Sequence, residues 1–507
     1  MAFLERFFKR SAVNVKPKKR DLALQFRNGF GQGYAASKTD FTTASWDAIP
    51  RNADYYLQEH RRLVARSRQQ IANNDYGKAY TRLCKQNIVG DQGIRLQARS
   101  MDPTGKLDKL ANEAIEGEWA TWCEAENCDA KGMLSLQDIK EQLIGTTPSD
   151  GEFFVQMVTG DDAGPYGFSL LVIDAQRCPP DYHVENLGGG RFIRGGIEFT
   201  KFGRPVAYYF TQEDKNGSYV LSSTSLMRVP AEEIIHGFLP ELVGLRRGIP
   251  WTATGLYRLR HLNGFEEAAV INARVSATKQ GFIEYEAGFG PELDEDEELL
   301  IQAEPGSVHE LPEGARYKNA DHQFPSGDFA QFTKAQLRGT AAGFGVPYND
   351  LAQDLENVNF SSIRQGTLDS RENWKLLQGW FIRSFLQKVY LRWLKFALLD
   401  QKILVKGRPL KAENIAKYKR VVWQGRRWAW IDPRSEVEAA VASKNNLLTS
   451  PGQIIREQGK DPEMVWAEIA ADIAAMRAAG IDEEYIKLAM GMKLNPPQVP
   501  PASSEKA

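Results

Sequence analysis

Two spacings of apolar residues alternate along this chain. From about Ala53 to Asn87 the spacing is helical, with Arg61, Arg62, Arg66 and Arg68 on the helix. The helix ends at IVGDQGIRLQ, where Gly90 and Gly93 bracket a turn into a strand. Residues 105–145 return to a helical pattern. From Gly151 to Pro230 the period shortens to that of strands: FFVQMV, FSLLVID, GGIEFT, PVAYYF and LMRVP, separated by Gly and Asn-Gly turns.

The longest single pattern is LRRGIPWTATGLYRLRHLNGFEEAAVINARVSAT, Leu245 to Thr278. Gly-Ile-Pro feeds a helix start, with Pro250 just ahead of or at the first turn, where its fixed φ is tolerated. Leu256, Leu259, Leu262 and Phe265 fall three apart, and Ala269, Val270 and Val275 continue one apolar side. Arg258, His261, Glu266, Glu267 and Arg274 mark the other. Such a helix packs against something continuous. That surface is a neighbouring element in a globular domain, or the same helix of the next subunit in a ring; the periodicity leaves both open.

Residues 281–324 read as β and loop, with the acidic run Glu292, Asp294, Glu295, Asp296, Glu297 and Glu298. A helix follows to about Phe344, then the polar loop GVPYNDLAQDLENVNFSS, with Ser361 or Ser362 able to cap the next helix. That helix, about 363–399, carries Trp374, Trp380, Phe381, Phe385, Tyr390, Trp393 and Phe396, a core stripe. Residues 432–494 are helical, and the tail NPPQVPPASSEKA has a disordered composition. Two helices flanking a small insertion make a stalk with a tip.

Composition narrows function more than fold. At 507 residues the chain is too long for one core. A net charge of −1 argues against gripping nucleic acid by bulk charge. The N-terminal MAFLERFFKRSAVNVKPKKR carries seven Lys/Arg and no uninterrupted apolar core, so it reads not as a secretory signal but as a solvated arm, or else as a basic, amphipathic segment that touches lipid, nucleic acid or an acidic partner. No apolar run is long enough to span a bilayer. Cys84, Cys123, Cys128 and Cys178 are too scattered for a disulfide framework and complete no zinc set, so reduced thiols are expected.

Catalytic patterns are missing. GFGQG at 29–33 lacks dinucleotide-fingerprint spacing, and Gly77-Lys78 and Gly105-Lys106 lack the rest of a P-loop. HExxH, GxSxG and kinase signatures do not occur. The six histidines are dispersed, and a charge block like 292–298 is ordinarily solvated. Neither a metal nor a cofactor is expected.

Six separated motifs, in order, resemble the portal proteins of tailed phages, in the branch typified by the phage lambda portal. They are ARSRQQIANNDYGKAYTRLCKQNIVGDQGIRLQ (65–97), SDGEFFVQM (149–157), GGIEFTKFGRPVAYYF (195–210), RRGIPW (246–251), FGVPYNDLAQDLENVNFSSIR (344–364) and WQGRRWAWIDPRSEVEAAV with LLTSPGQIIREQGKDPE behind it. The resemblance covers about 45–485; Ala429 stands where some relatives carry Pro.

The resemblance implies an α+β portal fold of wing, stem helices, clip and helical crown, assembled as a dodecameric ring at one capsid vertex. It implies an N-terminal arm at 1–45, wing at 46–250, stem helix at 251–278, clip at 279–325 and second stem helix at 326–346. A channel loop at 347–362, a wing return at 363–431, a crown at 432–494 and a disordered tail at 495–507 complete it. Double-stranded DNA passes the axial channel without sequence specificity. The large terminase subunit docks during packaging, and head–tail adaptor proteins replace it. Major capsid and scaffold proteins are further partners, membranes are not, and assembly takes place in the bacterial host cytoplasm before the protein resides in the virion. Such a conduit is not an enzyme.

Under this reading Asp350, Asp354, Glu356, Asn357, Asn359 and Arg364 lie near the channel, or else shape subunit contacts. A bore with few cations lets DNA slide, because every neutralised phosphate adds affinity through counterion release. Asp294, Glu295, Asp296, Glu297 and Glu298, crowded at the ring's tip, favour a basic docking partner. Two other readings are another ring-forming head–tail connector and a nucleic-acid enzyme binding metal through carboxylates such as Asp350 and Asp354.

Overall fold

The computed structural model describes residues 41, 44–46, 49–212, 226–277, 281–285, 314–319, 329–356, 359–428, 433–458 and 460–489. The chain divides into two units, Met1–Asn52 and Ala53–Ala507. Most of the first, the expected arm, lies outside the described residues; within it Phe41, Trp46 and Ile49 are exposed.

The second unit begins with α1 (His60–Asn73) and α2 (Asp75–Cys84). One unbroken helix was the expectation for this stretch. Asn74 interrupts it: its extended backbone ends α1, and its side chain accepts hydrogen bonds from the Tyr76 and Gly77 amides to cap α2. A π turn, Lys85–Val89, leads to β1 (Arg95–Ala98) through left-handed Gly90 and Gly93. Helices α3 (Lys109–Trp122) and α4 (Leu136–Asp150) follow, the latter opened by a capping box of Ser135 and Asp138.

The expected β-rich unit is present as β2 (Glu152–Thr159), β3 (Phe168–Ile173), β4 (Phe192–Arg194), β5 (Ile197–Phe199), β6 (Pro205–Phe210) and β7 (Met227–Pro230). An additional strand, β8 (Ile234–Phe238), completes two antiparallel sheets ordered β3-β2-β8 and β4-β5-β6-β7. Pro250 is followed by turns, and the long helix α5 starts later than the sequence suggests, at Leu256–Ala277. The hairpin of β9 (Gly281–Tyr285) and β10 (Ala315–Asn319) separates α5 from α6 (Phe329–Phe344).

A short helix, α7 (Tyr348–Ala352), interrupts the stretch expected to be loop. Then come α8 (Phe360–Phe381), a second π turn (Ile382–Leu386) and α9 (Gln387–Leu399). Because α8 starts at Phe360, Ser361 and Ser362 lie inside its first turn; Asn359 takes the capping position, its carbonyl accepting from the Ile363 amide. The small hairpin of β11 (Leu404–Val405) and β12 (Arg408–Pro409) precedes β13 (Val421–Gln424), which pairs antiparallel with β1. Helices α10 (Pro433–Asn445), α11 (Pro451–Glu457), α12 (Pro462–Ala478) and α13 (Glu483–Ala489) make the C-terminal region helical, as expected.

The main core sits where α3, β2, β3 and the aromatic stripe of α8–α9 meet. Trp119 packs edge-on to Tyr390 and Trp393, and Trp122 stacks on Phe168 and donates its indole N–H to the Phe168 carbonyl. Phe153 inserts among Trp380, Phe381 and Phe385. A smaller core under the second sheet holds Phe154, Ile197, Phe199, Tyr208 and Phe210.

Helices α5 and α6 form an antiparallel pair. At their base Gly255 and Gly343 touch so closely that a Cβ on Gly343 would lie 3.0 Å from the Gly255 nitrogen. Further out Phe265 packs between Phe329 and Phe332, with ring centroids 5.4 and 4.8 Å away. Leu256, Leu259, Leu262 and Ala269 are buried, but Val270 is not, contrary to the single apolar side read from sequence.

Candidate functional site

The base of α5 is fixed by a buried polar junction that joins the resemblance motifs. Arg247, of RRGIPW, directs its Nε and Nη2 to the Glu152 carboxylate of SDGEFF at 2.6–3.0 Å. Its remaining donors reach the carbonyls of Gly195 at 2.5 Å and Cys178 at 3.1 Å. The side chains are 1% and 0% exposed. Glu152 also accepts from the Gly248 amide and from His236 Nε2, each at 2.9 Å. Burial works against the Glu152 charge, yet Arg247 and the His236 hydrogen bond hold its pKa below the ordinary carboxylate range. Burial lowers the His236 pKa below its usual value, which favours the neutral ring, and that ring donates to the carboxylate through Nε2.

Backbone fit locks the same junction. Gly151 ends α4 in the left-handed region at φ 81°, and a Cβ there would sit 2.3 Å from the Ile249 carbonyl carbon. A Cβ on Gly248 would sit 2.1 Å from the Gly151 oxygen. His60 Nε2 donates to the Gly248 carbonyl at 2.7 Å, and Ser67 pairs with Thr252 at 2.6 Å. Arg68 bridges Asp150 and Asp174, and Arg246 holds Asp54. Periodicity could not reveal these residues, although most of them lie in the motifs that carry the resemblance.

The polar loop between α6 and α8 is ordered by different means. Lys334, on α6, lies 3.2 Å from Asp354 and 3.0 Å from Glu356. Tyr348 donates its hydroxyl to Asp354 at 2.7 Å, and the Glu356 amide caps the same carboxylate at 2.9 Å. Gln353 takes a left-handed turn at φ 53°. Led by the Tyr348 hydroxyl, these donors lower the Asp354 pKa to about 2. Asp354 and Glu356 are thus brought together through Lys334, a residue the sequence pattern did not single out.

Asp350 is exposed on α7, Asn359 precedes α8, and Arg364 is half-buried in its second turn. Asn357 and the acidic run Asp294, Glu295, Asp296, Glu297 and Glu298 lie outside the described residues. Among the described residues no group of three or more His, Cys, Asp or Glu side chains is arranged to hold a metal, and no helix is long and apolar enough to cross a membrane.

Removing the clamp should loosen this loop. Lys334→Ala is expected to speed amide exchange across 346–356 while leaving the core amides protected. The Asp354 contribution is present above its ordinary pKa of 3.8 and is lost as pH falls through about 2. Exchange by mass spectrometry on the variant and the parent checks this, and equal rates in the loop would contradict it.

Comparison with known proteins agrees with the motif order. The family model described as "Phage portal protein, lambda family" matches residues 39–378. A probable portal protein of Halomonas phage phiHAP-1 is 31% identical over 445 residues, covering 86% of this chain and 85% of its own length. Portal protein B of Escherichia phage lambda is 22% identical over 502 residues, 90% of each chain. A chain from the neck of a native GTA particle is 14% identical, with a TM-score of 0.39 over 89% of this chain and 98% of that one. The family match takes in the buried junction, the long helix pair and the polar loop, and the phiHAP-1 relative extends over most of the chain. It follows that the chain belongs to the lambda family of phage portal proteins, structural components of the tailed-phage virion.

Proposed function

We propose that twelve copies of this chain close into a ring at one capsid vertex and form the conduit through which the genome enters the head and leaves it. The observation that carries this reading is a second face on α5. Tyr257, His261, Gly264, Ala268 and Ile271 fall at spacings of three and four, all exposed, on a helix whose other side is already buried. Tyr257 is 75% and Ile271 52% exposed. Small residues at the middle of this stripe let a second helix approach closely, and the same helix of the next copy supplies one. A helix apolar on more than one side is ordinarily enclosed by other elements.

In this assembly α5 and α6 are the stem, and residues 279–325 between them the clip. The part from 46 to 250 with the 363–431 return is the wing, and 432–494 the crown. The loop at 347–362 faces the channel. Lys334 offsets one of the two carboxylates of Asp354 and Glu356, so with Asp350 the loop offers DNA a mildly acidic surface. Neither strong repulsion nor phosphate capture then impedes a sliding duplex.

The clip receives the large terminase subunit during packaging and adaptor proteins afterwards, with Asp294, Glu295, Asp296, Glu297 and Glu298 as the docking charges. Capsid and scaffold proteins meet the ring where it is built, in the host cytoplasm. Reversing Asp294, Asp296 and Glu298 to Lys is expected to weaken terminase capture at least tenfold while rings still form. Rings that capture terminase as before would remove the clip charges from the docking role.

A further inference from the structure

One segment departs sharply from the neutrality of the chain. Residues 383–427 hold thirteen Lys/Arg and two Asp/Glu, leaving 51 basic and 63 acidic residues elsewhere. The segment therefore carries +11 while the remainder carries −12. Near-zero net charge hides this asymmetry.

The fold displays most of these cations on its surface. On α9, Val389, Tyr390, Trp393 and Leu394 face the core, while Lys388, Arg392 and Lys395 recur at i, i+4 and i+7 on the other side. Lys388 and Lys395 are exposed, and the buried Nε of Arg392 has no hydrogen-bond partner. The β11–β12 hairpin then turns through Lys406 at φ 50° and Gly407 at φ 75°, the two-residue turn that Asn-Gly ordinarily makes. A lysine thus occupies a position suited to asparagine, and Lys406, Arg408 and Lys411 are all exposed around it. Among the described residues of the segment only Lys402 and Lys417 reach a carboxylate, Asp400 at 3.4 Å and Asp108 at 2.5 Å.

We infer that this surface binds the phosphate backbone of duplex DNA, outside the axial channel and without sequence specificity. Seven of the thirteen cations are lysines, a residue depleted at protein–protein interfaces but well suited to phosphates as a mobile point charge. The inference adds a second DNA contact to the proposed ring. Closed rings serve only to exclude threading as the mode of capture.

The experiment uses purified protein, imaged first to establish whether rings are closed, and a relaxed covalently closed duplex circle, which a closed ring cannot thread. Binding to the circle is expected, steeply weakened by salt. The neutral variant Lys406→Asn/Arg408→Gln/Lys411→Gln, whose asparagine suits the left-handed turn, should bind roughly tenfold more weakly or worse. Its log–log salt slope should be less negative by about 3, near 0.9 for each lost phosphate contact. Lys388→Gln/Lys395→Gln should make the slope less negative by about 2 on the same basis. No capture of the circle at low salt, or variants with the parental slope, would overturn the inference. So would displacement of the circle by polyglutamate at equal charge, which would indicate an acidic protein partner. Absence of rings in the images would count against the proposed function alone, since the binding slopes are read independently of it.

Discussion

Glu152→Ala should destabilise the protein by about 3–5 kcal/mol, the range for removing one partner of a buried ion pair. The substitution strands a guanidinium whose side chain is 1% exposed, and it deprives the Gly248 amide and His236 of their acceptor. Arg247→Ala should cost a similar amount by leaving the carboxylate uncompensated. The double variant Glu152→Ala/Arg247→Ala should fall short of the sum of the single losses by about 1–3 kcal/mol, because neither charge is then left alone. Denaturant unfolding of the four proteins measures this. Additive losses would mean that the two side chains act independently.

Acid should reproduce part of the same loss. The lowered pKa of Glu152 makes its contribution complete above its ordinary value of 4.5 and lost as pH falls through the lower folded value. The lowered pKa values of His60 and His236 act in the same direction. Unfolded chains take up these protons below about pH 6.5, so stability declines from there downward.

The second large effect concerns assembly. Tyr257→Asp/Ile271→Asp should leave the chain folded and prevent ring closure, because both side chains lie on the exposed stripe and contribute little to the chain's own core. Carboxylates at each copy's contact would have to be desolvated, at a cost of several kcal/mol per ion. Unchanged far-ultraviolet dichroism with a monomeric mass by light scattering is the expected pair of results. Rings formed by this variant at wild-type concentrations would place the subunit contact elsewhere.

Much of the architecture could be read from apolar spacing, because strands and long helices announce themselves locally. FFVQMV, FSLLVID, PVAYYF and the stripe from Trp374 to Phe396 are elements and core as their patterns imply. IIHGF did not stand out: it is short, lacks alternation, and carries a histidine whose role depends on a carboxylate 84 residues away. The break at Asn74 was available in the Asn-Asn pair, since asparagine caps helices readily. The Val270 side of α5 failed for a simpler reason. The helix has apolar residues on two sides, and periodicity cannot say which one its own chain will cover.

The loop was less legible than the helices around it. Asp354 and Glu356 stood out as charges, but their meaning depends on Lys334, which arrives from another helix about twenty residues earlier. The junction at Arg247 has the same character, joining residues 60, 152, 195, 236 and 247. Contacts so distant in sequence are set by topology, and only folding brings them within hydrogen-bond reach.

The most direct measurement is single-particle imaging of the purified chain, with its mass in solution. Closed rings of twelve copies around an open axis, wide enough to admit duplex DNA, are the predicted result. A compact monomer at every concentration, or an open oligomer with no axial hole, would contradict the account.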